Sequence, residues 1–306
     1  MINIDQIKYL KDLKEFKIYI NKNDKGISKT LKKYKFKTKW PREPEFMYLF
    51  HKKIKEDSNI IDLGANIGYL TLYFKKVLKV KNKILSVEPE SLNFSFLTEN
   101  IKLNNLQNEV VCKNLALADV DDYKYFQLSS HSNLHKISSE PSKDKISCKK
   151  LSTLLLEEDF EPDFIKMDVE GAEIEIIEGF QKYIREKKPK LSILFEVHPN
   201  EYNKNRSFDS QLKFLFTEGF RVESLITAGT NYPIFFENKG YKPEISFKSG
   251  KFNRFIINNV SETDVIDALN NQVFYPEKKN YIDMLRTFSI KSYSKKIVRG
   301  LLLTRG

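Results

Sequence analysis

The chain has 306 residues, 41% of them hydrophobic, enough to bury the core of one large domain with additions at either end. No run approaches the roughly 18 consecutive apolar residues of a membrane span, and Met1-Ile2-Asn3-Ile4-Asp5-Gln6 lacks a signal peptide's basic start and apolar centre, so a cytoplasmic protein is expected. The net charge of +11 sits at the ends, with 16 Lys and Arg against 7 Asp and Glu over residues 1–56 and 6 against none over 286–306, and the slightly acidic middle argues against a nucleic-acid-binding face.

Residues 1–56, rich in Lys, Tyr and Phe, read as a basic N-terminal extension with Trp40-Pro41-Arg42-Glu43-Pro44 as its boundary. From residue 57 the pattern alternates short apolar runs with longer helical stretches, the signature of a parallel sheet covered on both faces. Strand 59–63 runs into Gly64-Ala65-Asn66-Ile67-Gly68-Tyr69: a buried strand ending in acid, then a glycine turn, then a helix start. Gly64 lets the chain turn where a side chain would collide with a ligand, and Gly68 lets the helix pack close to the strand. A dinucleotide fingerprint would read G-x-G-x-x-G, whereas here Asn66 interrupts it and Asp62 precedes the turn, where a pyrophosphate would be repelled. A cationic ligand fits better. S-adenosylmethionine brings an ammonium and a sulfonium, and its ribose hydroxyls need a further carboxylate. Glu88 ends strand 83–88 at the spacing of about twenty residues expected for that acid.

Leu70, Phe74, Val77 and Leu78 give the intervening helix over 69–80, and Ser91 caps a helix carrying Leu92, Phe96, Ile101 and Leu103. A third strand covers 109–115. Residues 117–150 break the alternation with short strands at Tyr123–Ser130 and Lys145–Lys149 around the polar loop Ser129-Ser130-His131-Ser132-Asn133, an insertion placed to cover a substrate. Strands 163–168 and 190–197 end in acids again, at Asp168-Val169-Glu170 and Glu196-Val197-His198. In an open parallel sheet the ligand lies beyond the carboxyl ends of the strands, so Asp62, Glu88, Asp168 and Glu196 should share one rim. Strands 219–226 and 252–258 flank a loop-rich insert over 227–250 and, paired as a reversed hairpin, complete a seven-stranded sheet.

Residues 261–306 read as a C-terminal helical extension with a basic tail. There Ile290, Tyr293, Ile297, Val298 and Leu301 to Leu303 stand among Lys291, Lys295, Lys296 and Arg299 with helical spacing, a face for an anionic membrane surface or for the chain's own domain. Cys112 and Cys148 are too few for a disulfide framework or a zinc site and receive no role.

These blocks together resemble the FkbM family of S-adenosylmethionine-dependent methyltransferases over residues 57–260. The likeness rests on Ile61 to Tyr69, Val87-Glu88-Pro89, Asn100-Ile101-Lys102-Leu103-Asn104, Ala116-Leu117-Ala118-Asp119, Leu151-Ser152-Thr153-Leu154, Ile165 to Glu173, and Glu196-Val197-His198-Pro199. It departs where the family has Asp after the Thr-Leu pair and this chain has Leu155. The resemblance implies an α/β, Rossmann-like, seven-stranded class I methyltransferase fold. It also implies methyl transfer to a hydroxyl, less often a carboxylate, of a sugar, glycan, glycolipid or related metabolite.

On that reading Asp62, Gly64 and Gly68 hold the methionine part of the cofactor with Asn66 as a hydrogen-bonding partner, Glu88 takes the ribose, and Asp119 stands near the adenine. An alcohol acceptor must lose its proton, and Asp168, Glu170 and His198 are the candidate catalytic groups. Glu170 and Glu173 serve equally as helix N-terminal charge. The cluster would also suit a divalent cation, but the resemblance does not demand one, so no obligatory metal is expected. Nucleic acid is a disfavoured acceptor, because Asp168-Val169-Glu170 replaces the Asn/Asp-Pro-Pro-aromatic turn that grips a flipped base. A scaffold that binds the cofactor without catalysis is the remaining alternative. It is disfavoured because every strand-end acid is intact.

Overall fold

The structure, a computed structural model, describes residues 4–127, 136–138, 145–198, 201–203, 205–228, 234–249, 252–274 and 297–306. A helical turn α1 (Ile4–Ile7) leads into the hairpin β1 (Lys8–Asp12) and β2 (Lys17–Asn21), then α2 (Ile27–Lys33) and α3 (Pro44–Lys53). Alternation begins with β3 (Ile60–Leu63), α4 (Tyr69–Lys76), β4 (Ile84–Val87), α5 (Ser91–Leu103) and β5 (Val110–Lys113). Four short strands follow, β6 (Ala116–Leu117), β7 (Asp122–Gln127), β8 (Lys136–Ser138) and β9 (Lys145–Lys149), and then α6 (Leu151–Glu157), β10 (Phe164–Met167), α7 (Glu173–Lys187) and β11 (Leu191–Glu196). The chain continues through α8 (Asp209–Thr217), β12 (Arg221–Thr227), α9 (Ile234–Glu237), β13 (Ile245–Ser249), β14 (Phe252–Asn258), α10 (Glu262–Phe274) and β15 (Val298–Arg305).

The main sheet has nine strands in the order β13-β14-β12-β15-β11-β10-β3-β4-β5. Strands β11, β10, β3, β4 and β5 run parallel to one another, and β3, β4 and β10 are buried along their whole length, as strands covered on both faces must be. Alternate residues feed two separate cores. Ile61, Leu63, Ile165 and Met167 join Phe180 of α7 and Leu212 of α8, while Ile60, Ile84 and Phe164 join Phe50 of α3, Phe74 of α4 and Phe96 of α5. This is the expected Rossmann-like class I methyltransferase architecture, a mostly parallel sheet between helical layers, with β14 and β13 added at one edge. Among the described residues no helix is long and apolar enough to cross a membrane.

Two expectations about the chain ends need correction. β12 and β14 do pair antiparallel as expected, but they do not complete the sheet by themselves: β15 lies antiparallel between β11 and β12, pairing Leu191 with Arg305 and Glu196 with Gly300 on one side and Leu301 with Leu225 on the other. Residues 298–305 are therefore neither a membrane-facing helix nor a tail beyond a domain ending at 260. The reason is the run Leu301-Leu302-Leu303, all fully buried: an interior strand buries consecutive leucines on both faces, whereas a surface helix buries one stripe. The rest of the proposed basic face, Ile290, Tyr293, Lys291, Lys295 and Lys296, lies outside the described residues.

The N-terminal 56 residues are likewise no appendage. Phe46, Met47, Leu49 and Phe50 of α3 are core residues, and Asn100 of α5 and Asn104 at its C-terminal cap tie down β2. The Asn100 side chain accepts from Tyr19 N (2.5 Å) and donates to Tyr19 O (2.9 Å) and Ile67 O (2.8 Å), while Asn104 donates to Lys17 O (2.7 Å). The two asparagines of the Asn-Ile-Lys-Leu-Asn block thus satisfy a strand's backbone as a neighbouring strand would.

The expected insertion is a four-stranded sheet, β6-β9-β7-β8, with strands close to those read at 123–130 and 145–149; the polar loop over 129–133 lies outside the described residues. Leu155 packs in the core from the inner face of α6, so the departure from the family pattern falls on a core position. Full burial of a leucine stabilises by about 1.5–3 kcal/mol, so the three leucines of β15 together rival the roughly 5–15 kcal/mol net stability of a domain. Deleting residues 297–306 is therefore expected to abolish cooperative folding. A truncated protein that keeps the wild-type thermal transition would refute the assignment of β15 to the core.

Candidate active site

The turn after β3 is built from left-handed residues, Gly64 (φ 72°), Asn66 (φ 52°) and Gly68 (φ 84°). A Cβ on Gly64 would stand 1.9 Å from the Asp168 carbonyl oxygen, so only glycine lets the ends of β3 and β10 approach this closely. The Gly64 and Ala65 N–H groups both donate to Val87 O at 3.0 Å, locking the turn onto the end of β4. There Glu88 is buried, its Oε2 accepting from Asn66 N (2.8 Å) and its Oε1 from Glu90 N (2.9 Å). Burial pushes the Glu88 carboxyl up to about 7, with those two backbone N–H groups pulling the other way.

Gly64, Ala65, Asn66 and Glu88 line a pocket at the carboxyl ends of the parallel strands. Its apolar wall comes from Val87, Pro89, Leu115, Leu117, Ala172 and Ile176, and its polar wall from Arg42, Glu43, Lys166, Asp168, Glu170 and Glu196. Glu88, Asp168 and Glu196 thus share the rim on which strand-end acids were expected.

Asp62 does not. It is fully buried beneath the pocket, its Oδ2 accepting from Thr71 Oγ1 (2.7 Å) and its Oδ1 3.1 Å from Lys166 Nζ. Lys166 Nζ also donates to Leu63 O (3.0 Å) and Gly64 O (2.9 Å), so Asp62 positions the turn through the lysine instead of touching a ligand. Gly68 is not in the pocket lining either; it caps α4, where a Cβ would meet Leu97 Cδ1 at 2.8 Å. Asp119 is directed to Lys124 (2.5 Å) and lies outside the lining, where Leu115, Ala116 and Leu117 stand instead.

Lys166, Arg42 and Glu43 were missed as site residues. A lysine within Phe164-Ile165-Lys166-Met167 was a usable signal, since a charge in a buried strand requires a partner. Nothing local pointed to Arg42 or Glu43, which reach the pocket from the turn before α3.

At the ends of β10 and β11 the three candidate catalytic residues come together. The successive left-handed residues Glu170 (φ 50°) and Gly171 (φ 97°) turn the chain from β10 towards α7. His198 Nε2 lies 3.5 Å from Asp168 Oδ1 and 3.5 Å from Glu170 Oε2, and its Nδ1 donates to Glu173 Oε1 at 2.6 Å. Glu173 is fully buried and accepts a second bond from Tyr202 OH (2.9 Å). Burial opposes its charge, but His198 and Tyr202 outweigh burial and hold its pKa below the ordinary value. Burial lowers the His198 pKa, yet Glu173, Asp168 and Glu170 outweigh it and raise the ring to about 10. Glu170 is raised to about 8 by burial, aided by Asp168 and Glu196 and opposed by His198.

Beside this cluster runs a network of charged side chains that joins distant parts of the chain. Arg299 Nη2 of β15 reaches Glu43 Oε1 (2.6 Å) and Glu196 Oε1 (3.0 Å), Arg42 holds Glu43 (2.5 Å), and Arg254 pairs with the fully buried Glu45. Burial raises the Glu43 pKa, but Arg42 and Arg299 overcome it and hold the group at about 2.

Residues 62–222 match the Methyltransferase FkbM domain. The chain belongs to this family. It is similar to Methyltransferase 1 of Beauveria bassiana (strain ARSEF 2860), 29% identical over 148 residues, which cover 40% of this chain and 59% of that protein. It is also similar to Methyltransferase sdnD of Sordaria araneosa, 30% identical over 154 residues, covering 39% and 59%. The chain thus spans 59% of the length of each of these curated relatives. Among solved structures it is similar to methyltransferase FkbM from Methylobacillus flagellatus KT, at 22% identity over 49% of this chain and 39% of that one, with a TM-score of 0.35.

The FkbM match begins at Asp62 and spans the glycine turn, Glu88 and the Asp168–Glu173 block, while α3 and β15, which contribute Glu43 and Arg299, lie outside it. Replacing Asp62 with Asn leaves Lys166 as a buried charge without its counter-ion, a change that destabilises by about 3–5 kcal/mol. Asp62→Asn is accordingly expected to lower the denaturant midpoint substantially, while Glu88→Gln, which strands no charge but leaves one backbone N–H without its acceptor, lowers it less. Equal midpoints for the Asp62→Asn and wild-type proteins would contradict the positioning role.

Proposed function

We propose that this FkbM domain transfers a methyl group from S-adenosylmethionine to a hydroxyl group of a sugar, glycan, glycolipid or related metabolite, with carboxylate acceptors less favoured. The observation that carries the reading is the pairing, in one pocket, of the buried Glu88 carboxylate beside a glycine turn with Asp168 and Glu170, which are backed by His198. The pocket chemistry fits the cofactor: among the described residues its acids Glu88, Asp168 and Glu170 have no lysine or arginine within ion-pair distance, which suits a ligand carrying positive charge and hydroxyls.

When bound, the cofactor supplies an electrophilic methyl group. Glu88 would take the ribose hydroxyls, and the Gly64–Asn66 backbone would lie against the amino-acid end without an intervening side chain. Val87, Leu115, Leu117 and Ile176 would flank the base and keep water from it. Asp168 and Glu170, beside His198, stand where an acceptor hydroxyl can hydrogen-bond and give up its proton. Carboxylates on this rim would repel a phosphate backbone, which disfavours a nucleic-acid acceptor.

Calorimetric titration of S-adenosylmethionine tests the cofactor half. A protonated Glu88 cannot accept from both ribose hydroxyls, so affinity should rise with pH up to about 7 and level off above it. At pH 5 about 1% of a group with that pKa is ionised, giving up to about 100-fold weaker binding. The nearest titratable neighbour, Glu90, has both oxygens engaged by Leu92 N and Asn93 N. Glu88→Gln should bind weakly and lose the pH step; absence of binding by the folded wild type would sink the reading. For the acceptor half, Asp168→Asn should lower methyl incorporation into hydroxylated glycans or lipid-linked sugars by about 10²–10⁴-fold with the cofactor still bound.

A further inference from the structure

The space enclosed by Asp168, Glu170 and His198 has a geometry that hydrogen bonding among the three does not account for. One ligand atom from each of Asp168, Glu170 and His198 lies within 4.8 Å of the other two. The two Nε2–oxygen distances are each 3.5 Å, beyond the roughly 2.7–3.2 Å of an N–H···O hydrogen bond. They are close to the spacing of atoms that share a third body. Ligands at about 2.1 Å from one cation stand about 3.0 Å apart in octahedral and about 3.4 Å apart in tetrahedral geometry.

A second, independent feature points the same way. His198 is nine-tenths buried, and its Nε2 makes no hydrogen bond among the described residues although its Nδ1 is held firmly by Glu173. Glu173 is itself fully buried and fixed by Tyr202, so the ring cannot turn without stranding a buried carboxylate. A carboxylate that grips one imidazole nitrogen and aims the other at a cluster of oxygens is the arrangement that orients a histidine towards a metal ion. Helix N-terminal charge explains why an acid opens α7. It does not explain why that acid is spent on His198.

We propose that Asp168, Glu170 and His198 bind a hard divalent cation, of the magnesium or manganese class, at the rim of the pocket. Two carboxylates and one imidazole select a cation of that class over a thiophilic one. Three protein ligands leave positions open, and because Asp168 and Glu170 line the pocket, those positions face an incoming acceptor. A hydroxyl oxygen of the acceptor would take one, and a cation-bound hydroxyl releases its proton more easily than a free one. That role rests on the methyl-transfer reading, whereas the site rests on the geometry alone.

The test uses the full chain, stripped with a chelator and titrated with manganese followed by calorimetry and electron paramagnetic resonance, with magnesium as competitor. One manganese per chain is expected, displaced by magnesium. Asp168→Asn should weaken it more than tenfold. Glu173→Gln, which touches no cation, should weaken it by about 10–100-fold. Should Glu173→Gln fail to fold, Glu170→Gln, which removes a proposed ligand at a less buried position than Glu173, should weaken manganese more than tenfold. Wild type that takes up no manganese at millimolar concentration, or variants that bind it as the wild type does, would overturn the site. Titrating S-adenosylmethionine into the same samples separates the two readings. Cofactor binding without manganese overturns the cation site and leaves methyl transfer standing; manganese binding without cofactor supports the site and removes its proposed role.

Discussion

A single buried cation sets the geometry on which the site depends. Lys166 stands in the middle of the sheet, and its Nζ is shared between Asp62 Oδ1 and the carbonyl oxygens of Leu63 and Gly64. Burial disfavours the charge, but Asp62, Asp168 and Glu196 together outweigh it and raise the lysine pKa above its ordinary value. A charge so placed must keep its partners, because removing one leaves the other stranded in a low dielectric. The turn after β3 is thereby fastened to β10, and the missing Cβ of Gly64 brings Asp168 against it. Cofactor side and acceptor side of the pocket are therefore one rigid piece, built from two adjacent strands.

The chain ends complete that piece. β15 enters between β11 and β12 and carries Arg299 to Glu196 and Glu43, while the start of α3 brings its capping Glu43 and Glu45 from the other terminus. Charge that looks like a basic fringe in the sequence supplies, through Arg42 and Arg299, the counter-ions of a rim otherwise made of acids. Residues outside the family match thus form one wall of the pocket. That wall differs in kind from the wall made by the family motifs: it consists of paired charges, not of free acids and glycines.

What was legible in the sequence was local. Acid at the end of an apolar run, then a glycine turn, places Glu88 and Asp168 on the rim because strand direction and sheet topology follow from the same pattern. What depends on packing was not legible. Leu301 to Leu303 suit a helix and a buried strand equally until the neighbouring strands are known. Asp62 opens the strongest motif yet is hidden by Lys166 and Thr71, and no local spacing distinguishes an acid that faces a ligand from one that faces a lysine. Glu173 reads correctly as the acid that opens α7; that it also grips His198 depends on the path of the chain beyond β11, 25 residues on.

The ion pairs of the structure sort the acids by task. Asp62 is committed to Lys166, Glu43 to Arg42 and Arg299, Glu196 to Arg299, and Glu173 to His198. Among the described residues Glu88, Asp168 and Glu170 have no lysine or arginine within ion-pair distance, and all three line the pocket. A committed carboxylate has its charge balanced by the protein, so it stabilises the fold and has little left for a ligand. An uncommitted one, held in a pocket partly shielded from water, is balanced only when a cationic or hydroxyl-bearing ligand arrives. Glu88 is thereby left for the cofactor side, and Asp168 and Glu170 for the acceptor side. The same reasoning makes Asp62, for all its prominence in the sequence, a structural residue.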